Sequence, residues 1–149
     1  MKTVGLLILV LLLAACAQGG SDPNATQIPA TGAGLEQTRW ELENFGAPGA
    51  GDPPVGDTPL TLEFGDGNVV SGSAGCNSFS GGYTIDDVGI TFHEVASTLM
   101  ACADQAVTEQ ETQFLQLLQN ARNYTIEQDR LILADEAGTP LLTFTRAGS

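Results

Sequence analysis

Between residues 60 and 73 the chain spells out a β-hairpin. Leu60, Leu62 and Phe64 alternate with Thr61 and Glu63, the period-two pattern of a strand with one buried face. Gly65-Asp66-Gly67-Asn68 follows, residue types that tolerate the backbone of a tight reversal, and residues 69–73 return. A chain that repeats this device is constrained to a mainly antiparallel sheet, because strands joined by short turns pair with their sequence neighbours. The device does recur. Strands are expected at residues 35–43, with Trp40 and Leu42 facing inward against Arg39, Glu41 and Glu43, and then at 60–64, 69–73, 81–85, 90–95, 124–127, 131–134 and 141–145. Reversals fall at 86–89, 128–130 and 136–138. Residues 46–58, rich in Gly and Pro, read as a long loop.

One helix interrupts the strands. Thr108-Glu109-Gln110-Glu111 fits a capping box, in which the threonine hydroxyl and the glutamate carboxylate satisfy the first free amides. Phe114, Leu115, Leu117, Leu118 and Ala121 then form an apolar stripe at helical spacing. Such a stripe marks core packing. Five strands, one helix and three strands predict an α+β, mainly β domain: a curled antiparallel sheet or open barrel with one helix packed at an opening.

The N-terminus carries an address. Lys2 precedes an apolar run over residues 4–13 that is too short for a permanent membrane span, which needs about 20 residues. The run ends in Leu13-Ala14-Ala15-Cys16, which resembles the lipobox of bacterial lipoproteins. Residues 1–15 are therefore expected to be a signal peptide, with Cys16 acylated, by palmitate or a similar chain, as the new N-terminus. Several acyl chains hold a protein on a membrane where one does not. Ala17 follows the cysteine instead of Asp, which resembles the default sorting to the outer membrane, facing the periplasm. Residues 16–34 read as a lipid-anchored flexible tether, poor in apolar side chains and spanning about 23 Å root-mean-square. The folded domain is expected over residues 35–147.

Charge excludes one class of partner. With Lys2 removed, 18 acids face four arginines: Arg39, Arg122, Arg130 and Arg146. Four scattered cations make no basic patch, so no nucleic-acid partner is expected.

Cys76 and Cys102 remain once Cys16 is acylated. Outside the cytoplasm two such cysteines are expected to pair. A bridge across this separation contributes about 3–4 kcal/mol in the chain-entropy model. The rival reading is a soft-metal site drawn from Cys76, Met100, Cys102 and His93, although His93 is the sole histidine and the spacing is not diagnostic.

The segment from Ser71-Gly72-Ser73-Ala74-Gly75-Cys76-Asn77-Ser78-Phe79 to Ser80-Gly81-Gly82-Tyr83, together with Thr98-Leu99-Met100-Ala101-Cys102 before the helix, resembles the META domain family, which includes the HslJ-type heat-shock lipoproteins. Trp40-x-Leu42 and Leu131-x-Leu133 agree in order, while the loop at 46–58 is longer than the resemblance implies. The resemblance implies a small β-rich domain with one helix, similar to cracked-barrel folds, linked broadly to envelope stress and to secretion or motility; it does not imply an enzyme. The glycines read first as backbone geometry. A functional reading makes the segment a recognition rim, with Asn77, Phe79 and Tyr83 as the candidate binding residues.

Sequence signals for catalysis are sparse. No Gly-x-Ser-x-Gly elbow occurs, and a triad would have to use His93. Acid pairs such as Asp86-Asp87 sit in turns, without the spacing of a calcium loop. The expected role is a non-catalytic envelope module without cofactor or metal, touching the membrane through Cys16 and an unidentified envelope protein or apolar ligand. The alternatives are a pilot-like carrier holding a lipid or peptide in an open barrel, and a cryptic hydrolase.

Overall fold

The computed structural model describes residues 34–87 and 89–148; the leader, Cys16 and nearly all of the tether lie outside them. Eight strands form one antiparallel sheet: β1 Thr38–Phe45, β2 Thr61–Phe64, β3 Val69–Ser73, β4 Ser78–Asp86, β5 Gly89–Ser97, β6 Asn123–Glu127, β7 Arg130–Ala134 and β8 Pro140–Arg146. Among the described residues the one α-helix, α1, is Gln105–Asn120 and joins β5 to β6. The strand order is β5-β4-β3-β2-β1-β8-β7-β6. Every sequence-adjacent strand pair joined by a turn is a hairpin, and β1 bridges the two halves by pairing with β2 and β8. The expected α+β, mainly β architecture is therefore what the chain adopts, as a curled half-barrel.

Strand twist brings the two outer strands toward each other. The Ile90 amide donates to the Arg122 carbonyl at 2.9 Å, so β5 meets the entry to β6, and α1 packs against β5 and β8 across the opening. Among the described residues no helix is long and apolar enough to cross a membrane.

Alternation holds for the apolar side chains, but Thr61, which the pattern sets against the buried face, is itself buried, and its hydroxyl accepts from the Ser73 amide at 3.0 Å. Trp40, Leu42, Leu62, Phe64, Val70, Leu131, Leu133, Leu142 and Phe144 fill the concave face. Helix residues Phe114 and Leu118 enter it from the open side. The rings make two chains through the interior. Tyr83 stands edge-on to Phe64 at 5.0 Å, with Phe92 beyond at 6.3 Å. Phe79, Phe114 and Phe144 follow one another at 5.7 and 6.3 Å. On the same face as Trp40, its cross-strand partner Arg146 holds its guanidinium 4.4 Å from the centre of the indole ring, a cation–π contact. Arg130 pairs with Glu43 at 2.9 Å from β7 to β1, and Arg122 closes the helix by donating to the carbonyls of Gln119 and Ala121.

The long loop is anchored at several points. Asn44 donates to the carbonyls of Gly46 and Ala47 at 3.3 and 2.8 Å, and Phe45 and Asp52 exchange two backbone hydrogen bonds. The buried amide of Gln110 then clasps Val55 from α1, accepting from its N–H at 2.6 Å and donating to its carbonyl at 3.0 Å. Residues 46–58 are thus a strap bound to the helix, and the first strand keeps both its pairings, with a register shift against β8 between Leu42 and Asn44.

Two local expectations are corrected. The helix starts earlier than the capping box predicts. Asp104 is the N-cap, accepting from the Ala106 amide at 2.8 Å, and Thr108 lies inside the first turn with its hydroxyl on the Asp104 carbonyl. Thr108 therefore cannot take the extended backbone of a cap, and Glu111 is released for tertiary contacts. The first strand begins at Thr38, because residues 35–37 form a turn with Gln37 at φ 57°, although Leu35 is fully buried.

Burial sets one pH response. The Tyr83 phenol lies in the core, and its pKa is raised above the usual tyrosine value by burial first and then by Glu36 and Asp66. Its neutral form is favoured by the fold, so its contribution is complete below the unfolded tyrosine pKa of about 10 and is lost as pH rises past it. The urea midpoint should stay level from pH 7 to 9 and decline above pH 10, and Tyr83→Phe should weaken that decline. An equal decline in the variant would show that other groups cause it.

Candidate functional site

The two sequence motifs meet at one end of the sheet. β3 and β4 are joined by residues 74–77, and β5 leads through residues 98–104 into α1. The Cys76–Cys102 disulfide ties these segments together, with Cα atoms 6.0 Å apart.

Asn77 is the hub of the junction, and it is buried. Its side-chain oxygen accepts from the Thr98 hydroxyl and the Met100 amide, both at 2.8 Å. Its side-chain nitrogen donates to Glu111 Oε1 at 2.9 Å, and more weakly to the Met100 carbonyl at 3.3 Å and Cys102 Sγ at 3.7 Å. The Asn77 backbone amide donates to Glu111 Oε2 at 2.9 Å. One asparagine thus fixes the loop, the helix and one disulfide sulfur. An amide does this where Asp or Ser would not, because it presents donors and an acceptor on one planar group. Asn77→Ala should cost about 2–3 kcal/mol, since it strips partners from buried groups; an unchanged denaturant midpoint would refute that.

Above the hub the backbone is pinned but the side chains stand free. Leu99 is 96% exposed and Met100 60%. They border an open groove of about 500 Å³ that continues along α1 past Thr112, Leu115 and Gln119. The strand register puts this junction at the opposite end of the sheet from the chain's entry. Thr38 pairs with Phe64, Phe64 pairs with Val70, and β3 then runs away toward Ser73.

The other residues singled out in the sequence serve the core. Phe79 packs on Phe114 and Tyr83 on Phe64, each 3% exposed. The motif glycines allow close approach. A Cβ on Gly72 would fall 1.9 Å from the Thr61 carbonyl oxygen, where neither backbone can yield. Gly72→Ala should therefore cost about 3 kcal/mol; a fully stable variant would refute the contact. Gly82 leaves room for the His93 ring, whose nearest atom would be 2.2 Å from an added Cβ.

His93 lies on the outer face of β5, away from the sulfurs. The structure groups Cys76 and Cys102 with Glu111, their ligand-capable atoms within 4.8 Å of one another, without His93. Thr84 Oγ1 is 3.3 Å from His93 Nε2, and Glu94 is 3.8 Å from Nδ1. This has the order of a nucleophile–base–acid relay, but the Glu94 side chain is 91% exposed, so water screens it and little holds the imidazole. Three residues gained importance only in three dimensions. Glu111 carried a local helix-start signal, and Thr98 and Leu99 were part of a motif without an assigned task.

A half-barrel plugged by one helix and stapled beside a Gly-Cys-Asn turn defines a small, mainly β domain class. The chain belongs to the META domain family, whose model matches residues 33–148. It is 28% identical over 134 residues to heat shock protein HslJ of Escherichia coli strain K12, covering 89% of this chain and 88% of that protein. Among solved structures, an NMR structure of a Burkholderia xenovorans protein superposes with a TM-score of 0.68 at 22% identity, covering 92% of this chain and all of that one. A DUF4847 family protein from Bacteroides vulgatus superposes with a TM-score of 0.56 at 16% identity, covering 79% of this chain and 98% of that one. These two likenesses concern the fold alone.

Proposed function

We propose that this protein is a non-catalytic contact module of the bacterial cell envelope. It is exported, acylated on Cys16, and engages an envelope component through the end of the sheet that carries Leu99 and Met100. The supporting observation is Leu99 itself: a large apolar side chain 96% exposed on a loop whose backbone is hydrogen-bonded in place through Asn77 and Ser78. Exposed apolar side chains on a rigid mount suit a recognition surface. The chain enters the domain at the opposite end, so a tether on residues 16–34 leaves this end free to meet a partner. The name of the related heat shock protein supports a role under stress. A carrier role is disfavoured because Trp40, Phe64, Phe114 and Phe144, all fully buried, occupy the interior.

The test is complementation. A deletion strain should lose viability under heat and detergent stress, and the wild-type gene should restore it. Cys16→Ala and the pair Leu99→Asp/Met100→Asp should not, although the domain still folds. Unchanged sensitivity in the deletion strain would sink the stress role, and full rescue by the Asp pair would sink the contact end.

A further inference from the structure

The Cys76–Cys102 bridge has an unusual companion. Glu111 is half-buried and places a carboxylate oxygen within 4.8 Å of both sulfurs. Among the described residues it pairs with no cation. Its two oxygens are instead held by the backbone and side-chain N–H groups of Asn77, both at 2.9 Å. The same Asn77 side chain also donates toward Cys102 Sγ at 3.7 Å. A carboxylate and a sulfur, oriented by one buried amide, have the arrangement of metal ligands aimed by an outer hydrogen-bond donor.

We propose that reduction of this disulfide converts the junction into a zinc site, with the Cys76 and Cys102 thiolates and the Glu111 carboxylate as ligands and the fourth position left to water. Two soft sulfurs and one hard oxygen suit zinc, a borderline ion, better than all-oxygen magnesium or calcium or sulfur-only copper(I). The reductant is a dithiol. It passes two electrons and two protons to the bridge, leaving two cysteine thiols and its own disulfide. Zinc then displaces both thiol protons, and the two sulfurs turn apart to about 3.8 Å, the edge set by zinc–sulfur bonds of about 2.3 Å in a tetrahedron. In the oxidised protein the sulfurs are neutral and bonded to each other, so the site is closed. The metal occupies the staple's position and holds the same three segments, residues 74–77, the loop before α1, and α1 itself. The proposal is independent of acylation and of the contact end.

The experiment uses the folded mature domain, reduced with a phosphine under argon, freed of reductant and titrated with cobalt(II) and then zinc. Thiolate-to-cobalt charge transfer and the visible bands of a tetrahedral site should appear with one cobalt per chain, vanish when zinc is added, and be absent from the oxidised protein. Glu111→Gln should weaken binding at least about tenfold. Circular dichroism follows the fold in parallel. If the reduced chain is unfolded, equimolar zinc should restore the sheet signal. The proposal is overturned if the reduced, folded protein shows no cobalt bands, if Glu111→Gln binds with unchanged affinity and spectrum, or if zinc fails to refold an unfolded reduced chain.

Discussion

Phe114→Ala should destabilise the domain by about 3–5 kcal/mol, the range for removing a fully buried phenylalanine ring. Phe114 is 0% exposed and stands between Phe79 of β4 and Phe144 of β8, at 5.7 and 6.3 Å. It is the contact through which the helix grips both halves of the sheet. The cavity left by alanine would be bordered by rings mounted on opposite strands, which the curled sheet holds apart, so collapse is restricted and the cost belongs in the upper part of the range. Chemical denaturation should show the midpoint falling sharply with little change in slope. Phe114→Leu retains most of the volume and should lose less than half as much. A loss below about 1 kcal/mol for alanine would mean that the helix does not close the barrel in solution.

Removing the disulfide should have the second largest effect. Cys76→Ala/Cys102→Ala opens a crosslink of 26 residues' separation, for which the loop-closure argument gives about 3.5 kcal/mol. For a domain of this size that corresponds to a fall in Tm on the order of 10–15 °C. Apart from the weak contact to Cys102 Sγ, the hydrogen bonds of Asn77 remain in the variant, so the loss is carried mainly by the freer unfolded chain. Scanning calorimetry of the variant and of the oxidised wild type measures it. Equal melting temperatures would show that the hydrogen bonds of Asn77 already hold the junction without help. The two variants also separate two kinds of stability: Phe114 acts through native packing, whereas the bridge acts through the denatured ensemble.

Much of the fold was legible one residue at a time. The third strand, Val69–Ser73, has the bounds its turn and alternation imply. The others were placed within a few residues, because a half-buried strand must alternate and a tight reversal must use Gly, Asn or Asp. The fourth strand proved longer than its signal, running Ser78–Asp86, since Gly81 and Gly82 dilute the apolar pattern while Gly81 admits the backbone of β5 at Val95 and Gly82 admits the His93 ring. The site was less legible. Cys76 and Cys102 could be matched by compartment and count, but Glu111 could not be joined to them. In the sequence it satisfies a helix-start rule, and in the structure Asp104 takes that task.

From the amino acids alone came the alternation of the strands near Trp40, Leu62 and Phe92, the turns that bound the others, the amphipathic helix and the pairing of neighbours, because each depends on forces acting within about ten residues. Tertiary structure decided what distant groups do together. It seated β1 between β2 and β8, bound the strap at 46–58 to Gln110, and drew Asn77, Glu111 and the two sulfurs into one junction. Those choices turn on which polar groups are buried side by side, and a hydrogen bond's partner is set by packed geometry, which no local pattern encodes.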